Sequence, residues 1–391
     1  MRFVRPVTWL ALIIGALAPA CAETDPNVSP FAASSGGGGS GGGGGNGPAD
    51  GGGRGGSGGG DACQWSTVDL VLGWAGSLAV DSAGGVHIGY YDFDGDSLDY
   101  AFKPSGGRWE AMVVDTHGEV GLFNSLVTDS TGGVHVSYSD YANKDLAYAF
   151  KPAAGSWSSA AVDAAGSAGY RSSIAVDKKD GVHVSYVESI SGDLKYAFKP
   201  ADGTWSSVSI DTHGDASVSS LAIDGKGGVH IGYYDSDVGD LEYAFKPAGG
   251  VWTTVAIDVA GDVGEGASLA VDEEGNVHVS YQDVTHGDLK YAFKPADGDW
   301  STVVVDTEGA VVPAGSSLAV DDVGGLHISY YDETNDDLKY AFKPAGGDWS
   351  TVAVDDGGVA SSLAVDHTGG VHMTYIDWFG FTLEYAHKPC P

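Results

Sequence analysis

From residue 63 onward the chain is written in short runs of alternating apolar and polar residues, separated by turn formers. The stretch 268–306 shows the pattern. Residues 268–272 form a short apolar run ending in Asp272, and Gly275 lies in the turn that follows, where a left-handed backbone is needed. Residues 277–283 set Val277, Val279 and Tyr281 against His278, Ser280 and Gln282. A polar loop at 284–287 leads to residues 288–294, where Leu289, Tyr291 and Phe293 share one face. Pro295 has no N–H to give a ladder and ends that run. Trp300 then opens a fourth run, 300–306. Period-two alternation with β-branched and aromatic residues predicts four short strands here. Nothing after residue 62 reads as a helix.

The same unit recurs. A His within an apolar strand stands at 87, 135, 183, 230, 278, 327 and 372, and a Trp at 65, 109, 157, 205, 252, 300 and 349. Four antiparallel strands repeated at this spacing predict an all-β fold, a seven-bladed β-propeller of four-stranded blades. We label the strands A to D, with A innermost. The first element, 65–69, is a lone strand D, and the last, 382–388, is a strand C with no D behind it. Pairing the two closes the ring and completes the seventh blade. Length alone, at about 150 residues per domain, suggests two or three domains; the repeat replaces that with one ring over 62–391.

Two cysteines test the closure. Cys390 follows Lys388-Pro389, as Ser105 follows Lys103-Pro104, and Cys63 stands two residues before Trp65, as Gly107 stands before Trp109. A Cys63–Cys390 disulfide would replace the missing C–D hairpin, across about 5.5 Å between Cα atoms. The loop it closes gives on the order of 5 kcal/mol in the chain-entropy model.

The first sixty residues differ in kind. Residues 1–20 carry Arg2 and Arg5, an apolar run and Ala18-Pro19-Ala20, the layout of a secretory signal peptide. Cys21 follows directly, and its position resembles the lipidation site of bacterial lipoproteins; plain cleavage, leaving Cys21 a free thiol, is the alternative. Residues 36–60 hold 18 Gly in 25, so 21–61 is a tether without a core. At ~5–6 Å × √n it would hold the ring on the order of 35 Å from an anchor. The expected location is the outer membrane or cell surface, with membrane contact only through the N-terminal lipid. The chain carries 53 Asp+Glu against 19 Lys+Arg, a net charge of −34. Loss of residues 1–20 would leave 17 basic residues against 53 acidic, or −36. Such a charge argues against nucleic acid as a partner. Lys sits mainly at the ends of the C strands, toward the short turns, so the acid is expected to weigh on the opposite face.

Residues present in every blade read as packing devices. The seven His are expected to hydrogen-bond to the Asp that ends each strand A, namely Asp81, Asp129, Asp177, Asp224, Asp272, Asp321 and Asp366. The seven Trp are expected to cover blade edges. No cofactor is expected. Asp92, Asp94 and Asp96 alternate as in a calcium loop, but sister loops lack that spacing and a solvated acidic turn is favoured. The exceptions to the repeat carry more. The D–A and B–C loops share one face and vary most. Trp74 is placed in the D–A loop of blade 1, Phe123 in that of blade 2, and Tyr170-Arg171 in that of blade 3. Trp378, Phe379 and Phe381 belong to the B–C loop of blade 7. Closure gathers these over blades 7, 1, 2 and 3 as a candidate ligand-binding surface, unless they plug the channel instead.

The units Asp-x-x-Gly-Gly-Val-His-x-x-Tyr-Tyr-Asp and Asp-Leu-Lys-Tyr-Ala-Phe-Lys resemble tandem repeats of exported bacterial propellers, loosely similar to sialidase-like and fucose-lectin-like propellers, over residues 64–389. The resemblance implies the architecture. Sialidases need an Arg triad and fucose lectins an Arg in each site, whereas the ring holds only Arg108 and Arg171. The expectation is therefore a monomeric, non-catalytic, surface-tethered binding propeller for a glycan or an envelope protein. The alternative is a polysaccharide hydrolase or lyase with Asp92, Asp115 and Asp377 at the channel mouth. A plain structural spacer is the third reading, and it predicts no aromatic cluster.

Overall fold

A computed structural model describes residues 63–164, 169–311, 315–377 and 380–389. Expectations for segments 1–20 and 21–61, and for Cys21, Trp378, Phe379 and Cys390, fall outside the described residues. Those residues form 27 strands, and no helix among them is long and apolar enough to cross a membrane.

The first strand serves two blades. In β1 (Ser66–Val80), residues 66–72 pair with the last strand of the chain, and residues 73–80 pair with β2 (Val86–Asp92). Blade 1 continues through β3 (Ser97–Lys103) and β4 (Glu110–Asp115). Blade 2 is β5 (Val120–Thr128), β6 (Val134–Asp140), β7 (Asp145–Lys151) and β8 (Ser158–Asp163). Blade 3 is β9 (Tyr170–Val176), β10 (Val182–Val187), β11 (Leu194–Lys199) and β12 (Ser206–Asp211). Blade 4 is β13 (Ala216–Ile223), β14 (Val229–Asp235), β15 (Asp240–Lys246) and β16 (Thr253–Asp258). Blade 5 is β17 (Val263–Val271), β18 (Val277–Asp283), β19 (Asp288–Lys294) and β20 (Ser301–Asp306). Blade 6 is β21 (Ser317–Val320), β22 (Leu326–Asp332), β23 (Asp337–Lys343) and β24 (Ser350–Asp356). Blade 7 is β25 (Gly358–Val365), β26 (Val371–Asp377) and β27 (Thr382–Lys388), completed by the start of β1. The expected seven-bladed propeller with N-terminal closure is the fold observed.

The expected D–A loop holding Trp74 does not exist. Residues 70–80 are almost wholly apolar, and two register shifts, between Asp69 and Val71 and between Trp74 and Ser77, turn β1 from one blade into the next without leaving the ladder. Loop variation is also narrower than expected. The B–C turns hold four residues in six blades, and the variation in length lies in the D–A joins.

A ring of hydrogen bonds joins the A strands. One Ser in each strand A accepts the backbone N–H of a Leu or Ile in the next blade. The pairs are Ser77 with Leu126 (2.8 Å), Ser125 with Ile174 (3.2 Å), Ser173 with Leu221 (3.0 Å), Ser220 with Leu269 (2.9 Å), Ser268 with Leu318 (3.0 Å), Ser317 with Leu363 (2.9 Å) and Ser362 with Leu78 (3.1 Å). Neighbouring A strands are too splayed to share a backbone ladder, so a short side chain supplies the acceptor that a buried N–H requires.

The apolar core lies between blades. Leu98 and Tyr100 of blade 1 pack with Val134, Val136 and Tyr138 of blade 2, and the pattern repeats around the ring. Each blade is covered on both sides, so the B strands are buried on both faces, polar His and Ser included. Each Trp that precedes a strand D stands edge-on to a strand-C Tyr of the preceding blade, with ring centroids 5.0–5.4 Å apart. The Trp thus seal blade junctions, which is more specific than covering an edge.

The His behave as expected and have a second partner. His87 Nε2 donates to Asp81 Oδ2 at 2.9 Å, and its Nδ1 accepts the Tyr100 hydroxyl at 2.6 Å. A carboxylate only accepts, and this fixes the tautomer. The other Asp81 oxygen takes the N–H groups of Ala83 and Gly85 and so shapes the A–B turn. A Cβ on Gly85 would lie 2.6 Å from that carboxylate, which explains the second Gly of the repeat. The Asp–His–Tyr relay is present in all seven blades. It places seven carboxylates beside the short turns, so the acid is less confined to the opposite face than the Lys positions suggest.

Candidate functional site

The irregular residues of the A strands share a backbone device. Phe123, Arg171 and Ala360 have φ of 51°, 49° and 52°, and Gly266 and Gly315 have 65° and 85°. Each lies twelve residues before its blade's His; Phe123, Arg171, Gly266 and Ala360 sit where strand A bulges against strand B, and Gly315 just precedes β21. A non-glycine residue in this region is strained, and the bulge re-aims its side chain. Phe123 and Tyr170-Arg171 therefore sit within strands β5 and β9, not in loops.

Two aromatic clusters result. Phe123 and Tyr170, from adjacent blades, lie 4.5 Å apart by ring centroid, and the Arg171 guanidinium stands 6.0 and 5.5 Å from the two rings. Arg171 also faces Glu265 of blade 5, whose carboxyl is raised by burial and partly held down by that charge. All three members of this cluster are half-buried, so it is largely packed into the A-strand rim.

The second cluster straddles ring closure. Trp74 of β1 stacks on Phe381 of the blade 7 B–C turn, with centroids 6.5 Å apart and planes at 26°. Phe93, from the blade 1 B–C turn, meets Trp74 edge-on at 6.1 Å and Tyr91 at 5.7 Å. Phe93 and Phe381 are each 41 % exposed. The sequence reading named Trp74 and Phe381 but treated Phe93 only as part of an acidic loop. The signal for it was positional: the residue that opens the B–C turn is also aromatic in blade 2, Tyr141, and in blade 7, Trp378.

The acidic loop itself is internally engaged. Asp92 Oδ2 accepts the Gly95 N–H at 3.0 Å, and Asp96 Oδ1 accepts the Tyr91 hydroxyl at 2.6 Å. Among the described residues the side chains that converge as potential metal ligands are Asp366, His372 and His387, on the other face. Asp115 is not at the channel mouth. It ends the outermost strand of blade 1 and accepts the Tyr138 hydroxyl of blade 2 at 2.5 Å.

The same junction repeats, and its charge varies. In blades 3 and 5, Lys195 and Lys290 reach Asp163 and Asp258 at 2.6 and 2.5 Å, and Lys339 pairs likewise with Asp306. The equivalent strand-C position is Asp99 in blade 1, Glu242 in blade 4 and Glu384 in blade 7. Burial, with neighbouring carboxylates, pushes Asp99 up to about 6 and Glu242 up to about 7. Tyr375 Oη lies 2.5 Å from Asp355 Oδ2 and 2.8 Å from Glu384 Oε2. The two carboxylates crowd one hydroxyl, and burial, with Asp355 nearby, raises Glu384 although the Tyr375 hydroxyl holds it down in part.

No protein-family profile matches the sequence, and no curated protein matches it. Solved structures share the fold. The fucose-binding lectin of Aleuria aurantia, solved with Fucα1-6GlcNAc, is 14 % identical over 73 % of this chain and 97 % of its own, with a TM-score of 0.52. The polysaccharide lyase Uly1 is 12 % identical over 81 % of this chain and 90 % of its own, also at 0.52. A puromycin hydrolase is 12 % identical over 80 % of this chain and 53 % of its own, at 0.55. At these identities the likeness is one of architecture, shared by proteins that bind and proteins that catalyse.

Proposed function

We propose that this is a non-catalytic binding propeller, exported and tethered through Cys21, that takes a glycan on the patch formed by Trp74, Phe93 and Phe381. The observation that carries it is the pair of exposed rings, Phe93 and Phe381, flanking Trp74 where blades 1 and 7 meet. The apolar C–H face of a sugar ring stacks on such a platform. Asp92 and Asp377, at the feet of the two turns, offer acceptors for its hydroxyls. The fold-level likeness to a fucose-binding lectin supports the class of ligand, and the scarcity of Arg argues against the same site chemistry. The test is a glycan array with tag-free protein and the triple variant Trp74→Ala, Phe93→Ala, Phe381→Ala. Binding by the wild type and background signal from the variant are expected. Equal binding by both, or binding by neither, overturns the reading.

One observation favours a hydrolase or lyase as the second reading: burial pushes Glu242 up to about 7 and Asp99 up to about 6, toward the range in which a carboxyl can act as a general acid. Glu242 lies on a blade 4 C strand, whereas Asp99 follows the blade 1 turn that carries Phe93 and is raised in part by Asp92. Release of reducing or unsaturated ends from polysaccharides, lost in Glu242→Gln, would establish it.

A further inference from the structure

One residue breaks the Asp–His–Tyr relay. In six blades the ring packed on the relay His, two residues after the Tyr, is a Phe: Phe102, Phe150, Phe198, Phe245, Phe293 and Phe342. In blade 7 it is His387, with its ring centroid 4.5 Å from that of His372. The Phe sites need only an aromatic face, so packing does not require this change. We propose that Asp366, His372 and His387 bind one zinc-class divalent cation on the short-turn face.

Four observations carry the assignment. One ligand atom from each residue lies within 4.8 Å of the other two. Tetrahedral zinc with bonds of about 2.0–2.1 Å needs ligand atoms ~3.4 Å apart, so closing the site takes a contraction of roughly 1 Å. The ligands come from the end of β25, the start of β26 and the end of β27, so a bound ion staples three strands of the closing blade. Asp366 is pre-oriented: its Oδ1 takes the N–H groups of Thr368 and Gly370 and the Thr368 hydroxyl, which leaves Oδ2 toward His372 at 3.1 Å. The Tyr385 hydroxyl holds His372 through Nδ1 at 2.7 Å and aims Nε2 at the site; a bound ion would take the place of the Nε2 proton, and Nδ1 would then carry the ring proton and donate to Tyr385 Oη. Last, these residues border a cavity of about 240 Å³ between blades 7 and 1, so a fourth position is open to water or a ligand.

Two imidazoles and one carboxylate suit zinc-class ions over calcium, which takes oxygen ligands. Lys103 lines the same cavity, and its positive charge limits the affinity of the site.

The test uses chelator-stripped, tag-free protein titrated with Zn²⁺ by calorimetry and with Co²⁺ by visible d–d absorption. The wild type is expected to bind one ion, and His387→Phe to weaken binding about tenfold or more through loss of one ligand. His387→Phe installs the residue of the six sister blades, so it is expected to fold as the wild type does, checked by circular dichroism and Tm. His213→Ala, at an exposed His remote from the site, is expected to bind as the wild type does. Absence of a stoichiometric site in the wild type, or equal binding by His387→Phe, overturns the proposal.

Discussion

Ser362 of the last blade accepts the backbone N–H of Leu78 in the first, at 3.1 Å and across 284 residues of chain. The same bond joins every other pair of neighbouring blades, so the ring is closed by the contact that builds it. Ser362→Ala leaves a Leu78 N–H without its acceptor and is expected to cost about 1–3 kcal/mol. Ser220→Ala, within the ring, is expected to cost the same within error. Urea unfolding of both variants checks this, and a much cheaper Ser362 change would mean that the closing junction is the weak one.

Cys63 is disulfide-bonded, and we predict Cys390 as its partner. A non-reducing peptide map should join the two. Reduction or Cys63→Ser should lower stability by about 2–5 kcal/mol. A map joining Cys63 to Cys21 instead would refute the predicted closure.

The seven relay histidines make the fold sensitive to acid. Burial holds each below the usual imidazole value, against the pull of its Asp. The unfolded chain therefore binds more protons below about pH 6.5, and stability is lost as pH falls from there toward the lowered folded values. The relay aspartates act in the same direction further down. Burial alone would raise Asp81, but hydrogen bonds from His87, Gly85 and Ala83 outweigh it, and its contribution is lost below about pH 3.8. Denaturant midpoints should fall between about pH 7.5 and pH 5; a flat profile would contradict the relay.

Glu242 works in the opposite sense. Its folded value, about 7, lies above its ordinary one, so its contribution is present in acid and is lost as pH rises from about 4.5 through 7. Glu242→Lys would give Asp211 the partner that Lys195 gives Asp163. A gain of about 1–2 kcal/mol at neutral pH is expected, because a charged hydrogen bond replaces two crowded carboxylates. Thermal unfolding at two pH values tests both the gain and the loss of this pH dependence.

Some features were legible along the chain because they depend on near neighbours. Alternation set the strands, and Asp81, Gly85 and His87 lie close enough to specify their own turn and relay. The seven-fold count and the orphan strands at 65–69 and 382–388 required the ring to close. Other features had no local signal. The Ser ring joins residues mostly 46–50 positions apart, and in sequence its members look like ordinary strand residues. Trp74 reads as a loop residue because nothing nearby shows that bulges let β1 pass from one blade to the next. Phe93 reaches Trp74 through the pairing of β1 with β2, at a bulge with no local signal, and Phe381 joins them only when the ends of the ring meet. The sequence by itself determined the seven blades and the Asp–His pairs, since alternation and hydrogen-bond partners a few residues apart suffice. Tertiary structure alone decided which rings form a surface, which carboxylates crowd one hydroxyl, and that His387 stands over His372 where the other blades place a Phe. Each of these depends on strands brought together by blade pairing and ring closure, at separations that no local pattern encodes.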